Sequence, residues 1–196
     1  RGIWQADCPG PAEGSERMML EISLSGTGGQ GLILAGIILA EAAVLDGKQA
    51  VQTQSYGPEA RGGASKSEVI ISDRPIDYPK VLAADILLAM SQEACNRYVG
   101  YLKDTGKLII DSTLVPEVPA TKAQVIALPI THAAKEELGN AMFANIIALG
   151  ALVGVTNVVS RDSLVQAVLD RVPKGTEEKN KKALELGWAM ATENKQ

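Results

Sequence analysis

Cysteine is scarce. The 196-residue sequence has two, Cys8 and Cys95. They form no CxxC pair and no disulfide framework. An iron–sulfur cluster takes about four cysteine ligands, so this chain cannot hold one alone. The pattern suits a reducing cytoplasm, and Cys95 reads as a small buried hydrophobe. Aromatics make up 4% of residues, too few for a base-stacking platform. Basic charge is not in excess either: 19 Lys and Arg face 23 Asp and Glu, a net charge of −4. That balance excludes the basic stripe of a nucleic-acid module. His132 is the single histidine. No Ser or Cys nucleophile motif accompanies it, so it reads as a capping or surface residue. No cluster has metal-ligand spacing, and no residue is nominated as catalytic. Long hydrophobic runs are missing too. Residues 138–160 carry no charge, but their clean apolar part, 141–155 with Asn145 inside, falls short of the ~20 residues a membrane span needs. It reads as a buried helix.

Residues 1–17 are rich in Pro, Gly and acid and lack the apolar core of a secretory signal. They read as a leader or tag, expected to be disordered, ahead of one domain over 18–196. Strand patterns fall at 20–25, 49–55, 65–72, 85–90, 107–111 and 124–128. Helical patterns fall at 32–45, at 131–138, 141–155, 161–171 and 176–192, and from an N-cap at Ser91 to about Lys103, stopped by Gly106. Strands alternating with helices predict an α/β fold: an open, Rossmann-like, mostly parallel sheet flanked by helices, with a helical C-terminal part. The helix at 32–45 is apolar around nearly its whole circumference, so it is expected to be covered on both sides. Gly150 and Gly154, four apart in the charge-free helix, let another backbone approach closely, either within the chain or from a second subunit.

Two segments could carry chemistry. Gly26-Thr27-Gly28-Gly29-Gln30-Gly31 matches G-x-G-x-x-G between a strand and a helix, the context of a phosphate site. Glycines admit an anion, and the helix start offers free N–H groups with partial positive charge; the bland alternative is a tight turn with no ligand. A dinucleotide site adds an acid about 20 residues on, but the second strand ends Gln52-Thr53-Gln54-Ser55, which argues against NAD. The second segment is Gln54-Ser55-Tyr56-Gly57-Pro58-Glu59-Ala60-Arg61-Gly62-Gly63. Its start is expected at the strand edge beside the glycine turn. Arg61 suits a phosphate or carboxylate, and Gly62-Gly63 can turn N–H groups toward an anion. The alternative is a packed loop with Arg61 paired to Glu59.

Together with Asp85-Ile86-Leu87-Leu88-Ala89-Met90-Ser91-Gln92 and Val172-Pro173-Lys174-Gly175-Thr176-Glu177-Glu178-Lys179-Asn180, these blocks resemble the gamma subunit of 2-oxoacid:ferredoxin oxidoreductases, nearest the 2-oxoglutarate branch and less near the pyruvate and branched-chain types. The resemblance implies a heteromeric enzyme that oxidatively decarboxylates a 2-oxoacid, transfers the acyl group to coenzyme A and reduces ferredoxin. It implies thiamine diphosphate, magnesium and iron–sulfur clusters on partner subunits, and no cofactor bound by this chain alone. The expected partners are alpha and beta subunits, with delta as a further candidate, and ferredoxin through the complex; nucleic acid and membrane are excluded. Self-association is expected when the partner is missing. Coenzyme A contacts are expected from Gly26, Thr27, Gly28, Gly29, Gln30 and Gly31, and from Ser55, Tyr56, Gly57, Arg61, Gly62 and Gly63. The competing readings are an autonomous Rossmann-type nucleotide-binding oxidoreductase and a purely structural assembly subunit.

Overall fold

The computed structural model describes residues 19–56 and 64–193; the expected leader at 1–17 and the loop residues Gly57, Arg61, Gly62 and Gly63 lie outside the described residues. Six strands form one sheet in the order β2-β3-β1-β4-β5-β6. These are β1 (Met19–Thr27), β2 (Gln49–Tyr56), β3 (Ala64–Ser72), β4 (Ala84–Ala89), β5 (Leu102–Asp111) and β6 (Gln124–Leu128). The run β1-β4-β5-β6 is parallel, whereas β3 pairs antiparallel with both β1 and β2. The helices are α1 (Leu32–Leu45), α2 (Gln92–Tyr98), α3 (Ile130–Leu138), α4 (Ala144–Thr156), α5 (Arg161–Arg171) and α6 (Glu177–Glu193). The fold is the expected α/β sheet with a helical C-terminal part, but its layers are unequal. α1, α3, α4, α5 and α6 share one core with Ile22, Leu24, Val69 and Ile71 of the sheet. α2 closes a smaller cluster on the other face, centred on Cys95, Leu87 and Leu108. Cys95 is fully buried there and burial raises its thiol pKa, as its reading as a small hydrophobe requires.

Two local expectations are corrected. The helix from Ser91 does cap on the Ser91 hydroxyl, but it ends at Tyr98. A 3-10 turn at Val99–Tyr101 follows, and β5 starts at once. Lys103 is held extended by ion pairs to Asp85 at 2.8 Å and Glu21 at 3.4 Å. Gly106 does not stop a helix. It lies buried inside β5, where a Cβ would come within 2.8 Å of the Asp85 carbonyl. The second correction concerns neighbours. β2 is an edge strand, and β3 separates it from β1.

α1 is sheathed by the sheet and by α4 and α5, with Val44 and Leu45 left exposed at its C-terminal end. Asp46 ties that end to the start of α5. It accepts from the Ser160 N–H at 2.6 Å and from the Ser160 and Ser163 hydroxyls at 2.7 and 2.6 Å. Burial works to raise its pKa, but these hydrogen bonds and Lys48 hold it below the usual value.

The glycine pair in α4 faces inward. A Cβ on Gly150 would come within 2.5 Å of the Leu184 carbonyl, and one on Gly154 within 2.7 Å of Ala191 Cβ. Gly187 of α6 answers them, since its Cβ would strike the Ile147 carbonyl. The two backbones therefore meet along a glycine seam within the chain. Gly187→Val is expected to cost about 3 kcal/mol or more, because backbone and not a yielding side chain blocks the new methyls. In thermal unfolding this lowers the midpoint by roughly 2–4 °C per kcal/mol. An unchanged midpoint would show that the seam is loose.

Candidate functional site

The chain leaves β1 for α1 on one face of the sheet and leaves β4 for α2 on the other. β1 and β4 are adjacent and parallel, so their C-terminal ends splay into a crevice. Open α/β sheets bind ligands at such switch points. Gln30 fastens this one. Its Oε1 accepts from the Thr27 N–H at 2.7 Å, and its Nε2 donates to the Met90 carbonyl at 2.8 Å. Both halves of the amide are therefore spent within the protein. Gly26 lies buried against that amide, leaving no room for a Cβ. Gly29 and Gly31 have φ of 92° and 73°, the left-handed region that glycine enters without strain.

Gly31 is the N-cap of α1 and offers no side chain; the first turn contains no acid. The N–H groups of that turn have no intrahelical partners. Three other helix starts are answered, although α4 too has neither a side-chain cap nor an acid in its first turn. Ser91 caps α2 and Ser160 caps α5. The fully buried Asp111 accepts from both the N–H and the hydroxyl of Thr131 at the start of α3. The positive end of α1 is thus left for an anion. An open cleft of about 480 Å³ lies over it, lined by Gly29, Gln30, Gly31, Met90, Thr131 and Asn145 among others.

Of the nominated residues, Gly28 and Gly29 are exposed at the turn, and Thr27, Gln30 and Gly31 are half-buried. Gly28 has open space where a Cβ would go. Tyr56 ends β2 at the same edge of the sheet. The segment between β2 and β3 lies outside the described residues; of its two flanks, Ala64 at the start of β3 pairs with Thr27, whereas Tyr56 at the end of β2 pairs with Ser65. Ser55 opens onto a different cleft on the opposite face of the sheet. His132 is exposed, and its backbone N–H meets the Thr113 hydroxyl. Sequence reasoning missed Asn145. Its amide lies 2.5 Å from where a Gly31 Cβ would sit, and 3.4 Å from the Gly31 carbonyl. The signal was available as a lone Asn within a charge-free apolar helix.

The model of the pyruvate ferredoxin/flavodoxin oxidoreductase family matches residues 21–190. The chain belongs to this family. It is 53% identical over 180 residues to the 2-oxoglutarate synthase subunit KorC of Methanocaldococcus jannaschii, covering 90% of this chain and 96% of that one. Among solved structures, it matches the gamma subunit of a keto/oxoacid ferredoxin oxidoreductase from Geobacter sulfurreducens with a TM-score of 0.81 and 53% identity, over 89% of this chain and 99% of that one. A 2-oxoglutarate:ferredoxin oxidoreductase from Magnetococcus marinus, solved with 2-oxoglutarate, coenzyme A and succinyl-CoA bound, matches 91% of this chain at a TM-score of 0.82. At 23% identity that match is one of fold, and it spans 32% of the longer Magnetococcus chain.

The Gln30 clamp can be tested directly. Gln30→Ala strands the Thr27 N–H and the Met90 carbonyl, and unmet buried groups cost about 1–3 kcal/mol. Denaturant unfolding should show that loss. Unchanged stability would mean that the amide does not hold the strand ends together.

Proposed function

We propose that this chain is the gamma subunit of a heteromeric 2-oxoglutarate:ferredoxin oxidoreductase of the cytoplasm, and that its switch-point cleft holds the phosphates of coenzyme A. The observation that carries the site is the unanswered N-terminus of α1 at that crevice, without side-chain cap or acid. Phosphate takes such a position because fixed N–H groups and the helix dipole both favour negative charge. The 53% identity to a 2-oxoglutarate synthase subunit over nearly the whole chain supports the substrate class.

The chain's own chemistry is binding and positioning. The turn Gly26–Gly31 gives backbone donors without side-chain bulk, and Arg61, from the loop that rejoins the sheet beside Thr27, gives a cation. Together they hold the coenzyme so that its thiol meets the acyl group generated on partner subunits. The described residues hold no group of three His, Cys, Asp or Glu able to bind a metal ion, and the sequence has two cysteines. Two cysteines fall short of the roughly four ligands an iron–sulfur cluster takes; the clusters and thiamine diphosphate with its magnesium are assigned to the partners, and the isolated chain is inactive. The autonomous dinucleotide-binding reading is weaker, because β3 intervenes between β1 and β2. A second-strand acid could not lie beside the turn as that site requires.

The test uses the reconstituted complex. Gly28→Asp fits the open space at that position and sets a carboxylate against the phosphate. It should raise KM for coenzyme A at least tenfold, equivalent to about 1.4 kcal/mol. Arg61→Ala should raise it roughly ten- to a hundredfold, corresponding to one charge-assisted contact of about 1.5–3 kcal/mol. KM for 2-oxoglutarate should hardly move in either. An unchanged coenzyme A constant in both assembled variants would remove the cleft from the site.

A further inference from the structure

The sheet face opposite α1 is thinly covered. α2 is the one helix on it among the described residues, and its cluster is small. Residues 73–83 cross the far end as irregular chain. Two clefts stay open there and share Leu82. The first, of about 410 Å³, has Ser23 among its lining residues. Ser23 is 5% exposed, and its hydroxyl has no hydrogen-bond partner among the described residues. A buried hydroxyl without a partner is costly. Lys66 on the wall is neutralised by Glu68 at 2.6 Å. Arg97 lies 5.8 Å from the Tyr98 ring and has no acidic partner among the described residues, so the cleft keeps a surplus positive charge. The rim is apolar: Leu82 and Tyr101 are 69% and 65% exposed.

Exposed Tyr and Arg are the side chains that protein interfaces enrich, exposed Leu82 adds apolar area beside them, and parallel strands are ordinarily covered on both faces. A small anion would satisfy Arg97 but would leave the Leu82 and Tyr101 rim wet. In the Magnetococcus marinus protein, the matching part is 32% of the chain, so there the fold belongs to a larger body. We propose that this face docks a partner subunit of the complex, which sets an acidic side chain against Arg97 and an apolar one between Leu82 and Tyr101. The inference rests on the gamma-subunit reading and assigns the face that reading leaves unassigned. It lies across the sheet from the α1 cleft, so docking leaves that cleft free.

The experiment measures binding of the purified chain to the alpha and beta subunits of its own complex, taken from the native host. Leu82→Asp and Arg97→Glu alter exposed side chains, and circular dichroism should show both folded. Each should weaken assembly at least tenfold. Val44→Asp, in the apolar groove between α1 and α5 on the other face, should bind as the unaltered chain does. The proposal is overturned if both face variants assemble normally while the unaltered chain binds. It is overturned in favour of a second copy of this chain if sedimentation shows a homodimer that the same substitutions dissociate. If the unaltered chain binds neither subunit, the gamma-subunit reading itself fails and the docking face fails with it.

Discussion

Gln30 extends the joint between two strand ends. β1 sends its chain to one face and β4 to the other, and the backbone ladder between them ends with the Met90 N–H donating to the Ser25 carbonyl at 2.8 Å. The Gln30 amide bridges the crevice beyond it with two hydrogen bonds, to Thr27 and Met90. The surrounding glycines follow from that bridge. Gly26 yields the volume that the amide fills, and Gly31 takes a left-handed φ pressed against Asn145 of α4. Because the cap position is a glycine, α1 starts without a side-chain acceptor. The turn that Gln30 tightens thus ends in a glycine that leaves the helix dipole without a side-chain acceptor, which is where the proposed function puts a phosphate.

The second constraint is the seam between α4 and α6. Gly150, Gly154 and Gly187 let the two backbones touch, which compresses the C-terminal helices onto the α1 side of the sheet. That layer is full. Trp188, Met190 and Leu186 of α6 pack against the same core as α1. The opposite layer holds α2 and a stretch of irregular chain, with apolar side chains left facing outward. The asymmetry fits the proposal that a neighbour completes the thin face of the sheet, with the α1 cleft on the other side.

Much of this was legible in the sequence. The bounds of α1, α5 and β6 fall where the patterns at 32–45, 161–171 and 124–128 put them, and α1 is bracketed by Gly31 and Asp46-Gly47, which are strong local punctuation. The glycine turn was legible because its spacing and context both match a phosphate site. Strand order was not. Antiparallel pairing of β3 with both β1 and β2 depends on contacts between distant residues, and alternation along one strand does not name its partner. That is why Ser55 was expected beside the turn and opens onto the other face instead. The extent of α2 was misread for a related reason. Leu102 and Lys103 continue the helical pattern in sequence, but ion pairs from Lys103 to Asp85 and Glu21 hold them in the sheet. The direction of Gly150 and Gly154 was undecidable without seeing Gly187 across from them.

Under the proposed function, the start of α1 binds the phosphates of the acyl acceptor. The most direct measurement is a structure of the assembled complex with coenzyme A bound. The account predicts the pyrophosphate within hydrogen-bond reach of the backbone N–H groups from Gly28 to the first turn of α1, with Gln30 still bridging Thr27 and Met90. Coenzyme A bound wholly on partner subunits, with this cleft filled by solvent or by a partner side chain, would contradict it.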